Sequence, residues 1–260
     1  MSTALALEGV TLAYRGEVVL DAVDLRVDAG EVLALLGPSA SGKTSALRAL
    51  LGFAVPRTGI VRVGGRIVSH DGRLVIAPED RGLAVVFQDL ALWPHLTVEG
   101  NLAFGLAARG MPSRERKERI TAILCRVGLA GAERRHPGEL SGGQRQRVAI
   151  ARALVMEPGA VLLDEPLASV DVDLRRELLE LLRELFREKR TTALHVTHDL
   201  REAAAVAHRF AILEAGRIVQ EGALGDLRRA PATPFVRALV EDLGEGMPPA
   251  DFEGRSGRRP

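Results

Sequence analysis

The 260-residue sequence has one cysteine, Cys125, one tyrosine, Tyr14, one tryptophan, Trp93, and three lysines, Lys43, Lys117 and Lys189. A single cysteine excludes an internal disulfide and fits a reducing compartment. No run approaches ~18 consecutive apolar residues, so nothing reads as a bilayer span. Met1-Ser2-Thr3-Ala4 has no basic run ahead of an apolar segment, so no secretory signal is expected. A basic excess is lacking too: 35 Lys and Arg oppose 34 Asp and Glu, for a formal charge of +1. That balance disfavours a general nucleic-acid binder. Nearly all the cations are arginines, which reads as compositional bias. What is abundant is apolar: 47% hydrophobic against 27% charged residues, the balance of a folded chain with one large domain or two small ones.

Leu5, Leu7, Val10, Val18, Leu20, Val23, Leu25 and Val27 alternate with small or polar residues, predicting antiparallel strands with one wet face. The run 31–36 is nearly continuous in apolar residues, as in a strand buried on both faces, and a helix is predicted over about 43–51. Short strands follow, including 59–63 and 83–87. From about Thr97 to Met156 the apolar spacing turns helical, with one helix starting at Pro112-Ser113 and another after Ser141. Strand–helix alternation then resumes: strand 160–163, amphipathic helix 172–189, strand 193–196, helix near 199–206, strand 210–213. Repeated βα units imply a parallel sheet covered by helices. His195 reads as a core or edge residue.

Gly37-Pro38-Ser39-Ala40-Ser41-Gly42-Lys43-Thr44, followed by Ser45, fits G-x-x-x-x-G-K-[ST] between a strand and a helix. Glycines let the backbone curl with N–H groups turned toward phosphate, and the helix aims its positive end at the same anion. Lys43 supplies a mobile charge for the β and γ phosphates, and Thr44 a hydroxyl for Mg²⁺. Leu162-Leu163-Asp164-Glu165 ends a strand in acids, placing Asp164 to hold Mg²⁺ and Glu165 to polarise a water. A second anion-binding device follows in Ser141-Gly142-Gly143-Gln144, a helix N-terminus with bare backbone.

Leu140-Ser141-Gly142-Gly143-Gln144 resembles the signature motif of the ATP-binding cassette ATPases, and the likeness runs from Leu5 to about Val240. It implies an α/β fold: a P-loop NTPase (RecA-like) core with an N-terminal antiparallel β subdomain and an inserted helical subdomain. A single nucleotide-binding domain is expected over 1–245, with core about 1–88 and 158–245, helical subdomain about 89–157, and a flexible tail at 246–260. Tyr14 resembles the adenine-stacking aromatic, and Gln88 the glutamine that touches Mg²⁺ and the attacking water. Ala168-Ser169-Val170-Asp171 resembles the D-loop, with Val170 where the family more often has Leu. His198 in Val196-Thr197-His198-Asp199 resembles the switch histidine of the γ-phosphate. The family arrangement implies two cassettes packed head to tail, with ATP and Mg²⁺ between the phosphate loop of one and Ser141 and Gly143 of the other. The chain is thus expected to form a homodimer or pair with a second such ATPase, with Glu165 as general base and Lys43 and His198 stabilising charge.

The segment Asp89–Val98 is similar to that of importers for polyamines, ferric iron, sulfate, molybdate and sugars, although Gly100 stands where Glu is common. In that branch it meets a membrane-spanning permease subunit, and Trp93 with Pro94 is expected to expose an apolar wedge. An external solute-binding protein is implied as an indirect partner, and the cytoplasmic face of the inner membrane as a peripheral location. Regulation through a C-terminal β-rich domain is not expected. A DNA-repair or translation ATPase is disfavoured by the lack of a heptad run between Gln88 and Leu140, by a single cassette and by the neutral charge. A GTPase would need Asn-Lys-x-Asp, and the only asparagine, Asn101, precedes Leu102. An efflux or lipoprotein-release energiser is opposed only by the residues around Trp93.

Overall fold

The computed structural model describes residues 2–168 and 170–243. The tail expected at 246–260 lies outside them, as does Ser169. Two long strands, β1 (Thr3–Tyr14) and β2 (Glu17–Asp28), form a hairpin and precede β3 (Val32–Leu36) and α1 (Lys43–Leu51). Next come β4 (Thr58–Val63), β5 (Arg66–His70), β6 (Arg73–Leu74) and β7 (Leu83–Val86). Three helices follow without an intervening strand: α2 (Val98–Ala108), α3 (Ser113–Arg126) and α4 (Gly142–Leu154). The chain then runs through β8 (Ala160–Asp164), α5 (Val172–Lys189), β9 (Ala193–Val196), α6 (Leu200–Val206), β10 (Arg209–Glu214), β11 (Arg217–Gly222), α7 (Leu224–Arg229) and α8 (Pro234–Leu243).

Two sheets result. One is antiparallel, in the order β2-β1-β4-β5-β6; the other, β11-β10-β3-β9-β8-β7, is parallel except for the β10–β11 hairpin. This is the parallel sheet covered by helices that the βα alternation implied. Successive side chains of a strand point to opposite faces, and the central strands use both. Leu33 and Leu35 of β3 join Ala46, Leu47 and Leu50 of α1 and the inner residues of β1, β2 and β4 in one core. Val32, Ala34 and Leu36 face the other core, with Val161, Leu163 and residues of α4, α5 and α6. Helix α1 is thereby held between the two sheets, and its N-terminus emerges at the carboxyl end of β3. Left-handed glycines bound it at both ends, Gly42 at φ 108° and Gly52 at φ 86°. The buried Arg81 guanidinium donates to the Ala49 and Leu50 carbonyls, satisfying acceptors that a helix C-terminus leaves open.

His195 is a core residue. It is fully buried on the face of β9 that carries Ala34 and Leu163 as its neighbours in register, and neither ring nitrogen has a hydrogen-bond partner among the described residues. Burial pushes its pKa down to about 4. A depressed folded pKa means the neutral imidazole favours folding above the unfolded value near 6.5, and that this contribution is lost as pH falls toward 4. The full shift corresponds to about 3 kcal/mol. Urea midpoints at pH 7 and pH 4.5 should therefore converge in His195→Leu relative to the wild type; equal acid sensitivity of the two would assign the loss to other groups.

Candidate functional site

The phosphate loop runs from the end of β3 into α1. A side chain at Gly37 is excluded, because a Cβ there would lie 2.1 Å from the Leu213 carbonyl oxygen and 2.7 Å from Ser41 Oγ. At Gly42 the positive φ favours glycine and the neighbours Leu20 and Val19 leave no room. Ser41 N–H donates to the Pro38 carbonyl at 3.2 Å, and Gly216 N–H to the Ser41 carbonyl at 3.1 Å, closing the loop against the β10–β11 turn. The loop forms one wall of a cleft of about 650 Å³ lined by Ser39 to Ser45, by Glu165, and by residues 17–19 and 215–216.

One cation, Lys43, stands beside two carboxylates, Asp164 and Glu165. Lys43 Nζ folds back onto the Gly37 and Pro38 carbonyls at 2.8 and 2.9 Å. Burial lowers its pKa, opposed by Glu165 and Asp164. The Thr44 hydroxyl donates to Asp164 Oδ1 at 3.2 Å. Burial raises the Asp164 pKa, the Thr44 hydrogen bond opposes this, and the neighbouring Glu165 charge adds to the rise. Glu165 follows in the left-handed region at φ 45° and lines the cleft. Its Oε2 lies 3.4 Å from Nδ1 of His198, itself largely exposed.

These residues suit a bound polyphosphate and its cation. Ser41 Oγ is buried in the loop with no hydrogen-bond partner among the described residues, a donor left open for a phosphate oxygen. Thr44 and Asp164 offer hard oxygen ligands of the kind Mg²⁺ takes in ones and twos, completing its shell with phosphate and water. Among the described residues no cluster of three or more His, Cys, Asp or Glu could hold a metal by itself.

The remaining expected residues stand outside the cleft lining. Tyr14 is exposed at the tip of the β1–β2 hairpin, opposite Glu17 in register. Gln88 is exposed in the segment after β7, two residues beyond Val86, which pairs with Leu163. Ser141 caps α4: its Oγ accepts from Gln144 N–H at 3.2 Å while Gln144 Oε1 accepts from Ser141 N–H at 3.0 Å. Gly142 is exposed, and Gly143 is buried where a Cβ would meet Leu174 at 2.6 Å. Asp171 caps α5 by accepting from Leu174 N–H at 3.0 Å. Gln144 and Asp171 thus have structural roles within the chain. Trp93 departs from the expected wedge: it is half-buried, with Pro94 and Phe104 the exposed apolar groups beside it.

Several residues that tie the site together carry no signal in the sequence pattern. Buried Gln146 of α4 donates to the Pro166 carbonyl, bracing the residue after Glu165. Arg175 of α5 donates to the Val170 carbonyl at 3.0 Å and pairs with Glu202 and Asp199 at 3.3 and 3.6 Å, while the Thr197 hydroxyl donates to Glu202 at 3.0 Å. This network binds the segment before Asp171 to the strand end that presents His198.

The sequence profile of the ABC transporter family matches residues 20–168. The chain belongs to that family. It is an ATPase of the ABC type. The sulfate/thiosulfate import ATP-binding protein CysA of Mycobacterium tuberculosis is 44% identical over 240 residues, covering 92% of this chain and 67% of that protein. The Fe(3+) ions import ATP-binding protein FbpC of Streptomyces avermitilis is 46% identical over 236 residues, covering 91% and 67%. The putative 2-aminoethylphosphonate import ATP-binding protein PhnT of Salmonella typhimurium is 43% identical, covering 92% and 64%. The chain spans about two thirds of the length of these relatives. Among solved structures, an ATP-binding subunit of an ABC transporter superposes with a TM-score of 0.77 at 29% identity, covering 92% of this chain and 99% of that one. A dimeric post-hydrolysis state of an ATP-binding cassette bound to ADP and Pi gives 0.74 at 30% identity, covering 84% and 98%.

Proposed function

We propose that this ABC ATPase drives a membrane importer, working as two copies that enclose two ATP between them. The observation that carries the reading is spatial. The phosphate cleft is built from 39–45 and Glu165, while the capped N-terminus of α4, with Ser141 and Gly143, lines no part of it. Two anion-binding devices that do not face one cleft in one chain suit a head-to-tail pair. The unit is a single cassette over 1–245, with the helical segment 89–157 inserted in the core.

Within each site the loop N–H groups, Ser41 and Lys43 hold the phosphates, and Tyr14 supports the base. Thr44, Asp164 and Gln88 would hold Mg²⁺, which would neutralise charge on the phosphate oxygens. A water positioned by Glu165 and Gln88 attacks the γ-phosphorus and the bond to the bridging oxygen of ADP breaks. Glu165 takes the water's proton, and His198, held beside it, contacts the departing phosphate. In trans, Ser141, Gly142, Gly143 and Gln144 close over the γ-phosphate, with Asp171 at the seam.

Among the described residues no helix is long and apolar enough to cross a membrane. The import ATP-binding proteins to which the chain is similar support permease subunits as its membrane partners, with this chain peripheral on the cytoplasmic face of the inner membrane. Half-buried Trp93 lines a cleft of about 330 Å³ with Phe87 and Arg152, and exposed Phe104 packs against its ring, a surface suited to an apolar element of such a subunit. Relatives of nearly equal identity are named for sulfate, a phosphonate and ferric iron. Solute choice thus lies with the permease and an external binding protein, and no nucleic acid is expected. Recovery from solubilised native membranes tests this: the wild type should bring down membrane-spanning subunits and Phe104→Glu should not. Nucleic acid in place of membrane protein would contradict the reading.

A further inference from the structure

The segment after Gln88 contains two successive non-glycine residues in the left-handed region, Leu90 at φ 62° and Ala91 at φ 45°. Such backbone persists only where its surroundings hold it, and it concentrates at sites of function. Here the hold comes from another element. Arg152, on α4, donates from one guanidinium nitrogen to the Ala91 carbonyl and from the other to the Leu90 carbonyl, the latter at 2.7 Å. The same guanidinium lies over the Trp93 ring, 5.3 Å from its centroid, the span of a cation–π contact.

The far end of the segment is fixed independently. Buried Asn101 of α2 accepts from Trp93 N–H at 2.9 Å and donates to the carbonyls of Trp93, Leu96 and Thr97. Trp93 also meets Phe104 at 4.7 Å between ring centroids. The stretch from Trp93 to Thr97 is therefore anchored. Between that anchor and Gln88, Leu90 N–H donates to the Phe87 carbonyl at 3.0 Å and its side chain packs on the core, while Arg152 takes the carbonyls of both strained residues. Arg152 is the single charged side chain in the run Val148–Leu154, and burial lowers its pKa while Asp89, in the gripped segment, raises it. The planar guanidinium suits this grip, with two donors and a stacking face in one rigid group, which an ammonium lacks.

We propose that Arg152 is a positioning residue for Gln88, a latch that holds the strained Leu90–Ala91 pair and thereby sets where the glutamine stands. Its helix is capped by Ser141, so the latch ties the end that meets the partner's nucleotide to the loop that presents Gln88 in its own site. The inference rests on the role given to Gln88 above.

The test compares ATP turnover of Gln88→Ala, Arg152→Ala, Arg152→Lys and Arg152→Ala/Ala91→Gly. Both Arg152 variants should lose about tenfold in kcat with KM for ATP within about twofold, since the Lys43 loop is untouched. Ala91→Gly should return most of the loss, because glycine adopts the left-handed conformation unaided. A merely structural Arg152 would not be rescued by a glycine at the gripped position. Where Arg152→Ala does not fold, Arg152→Lys is read by the emission of Trp93, the chain's only tryptophan, which should shift to the red and become more open to iodide quenching. Wild-type kcat in both Arg152 variants, a parallel rise in KM, unchanged Trp93 emission, or no recovery with glycine would each overturn the latch. Wild-type turnover in Gln88→Ala would instead overturn the role of Gln88.

Discussion

Glu165→Gln should keep its affinity for ATP and lose about 10²–10³-fold in hydrolysis, the range contributed by a positioned general base. The amide matches the carboxylate in shape and leaves the turn at φ 45° and its link to the Val196 carbonyl intact. What it removes is the carboxylate proposed to accept the water's proton, 3.4 Å from the His198 ring. Removing that negative charge also lessens repulsion of the phosphates, so nucleotide binding should hold or tighten. Single-turnover hydrolysis beside equilibrium binding separates the two effects. Wild-type turnover would transfer the base to another residue.

Lys43→Ala should weaken ATP binding by about ten- to a hundredfold, the worth of a hydrogen-bonded charge. The ammonium now satisfies the Gly37 and Pro38 carbonyls and balances Asp164 and Glu165. Alanine leaves those carbonyls without their donor and the two carboxylates without their counter-charge, in a cleft meant for a polyanion. Unlike Glu165→Gln, this variant should fail at the binding step, read by calorimetric titration with ATP. An unchanged Kd would remove Lys43 from the site.

The two variants draw on the part of the site that is legible in sequence, and the reason is local. Gly37 and Gly42 shape the backbone, and Lys43 and Thr44 add their side chains, all within eight residues, so their spacing is readable as one local motif. Strands β3 and β9 and helices α1 and α5 are legible for a similar reason: each is buried along a whole face, and periodicity reports burial. The pattern thins where burial does. Strand β11 is an edge strand of intermediate exposure beyond a turn at Ala215 and Gly216, and α7 and α8 are short; none stands out in the sequence pattern.

Residues that act across the fold are illegible. Arg152 reaches Leu90 and Ala91, Gln146 reaches Pro166, and Arg175 joins Val170 to Glu202, all at separations no local motif records. In a chain so rich in arginine, a buried guanidinium looks like a solvated one. A partial signal exists in Arg152, a lone charge inside an apolar helical run. The arginine excess itself, compositional bias by its numbers alone, proves in part structural: Arg81, Arg145, Arg147, Arg152 and Arg175 each donate to main-chain carbonyls.

The central claim, that a complete site needs two chains, is tested most directly by the mass of Glu165→Gln in solution with and without Mg-ATP. The account predicts a doubling of mass on adding nucleotide, abolished when Ser141→Arg is added to the same chain. A mass that stays that of one chain with ATP bound, or a doubling indifferent to Ser141→Arg, would contradict it.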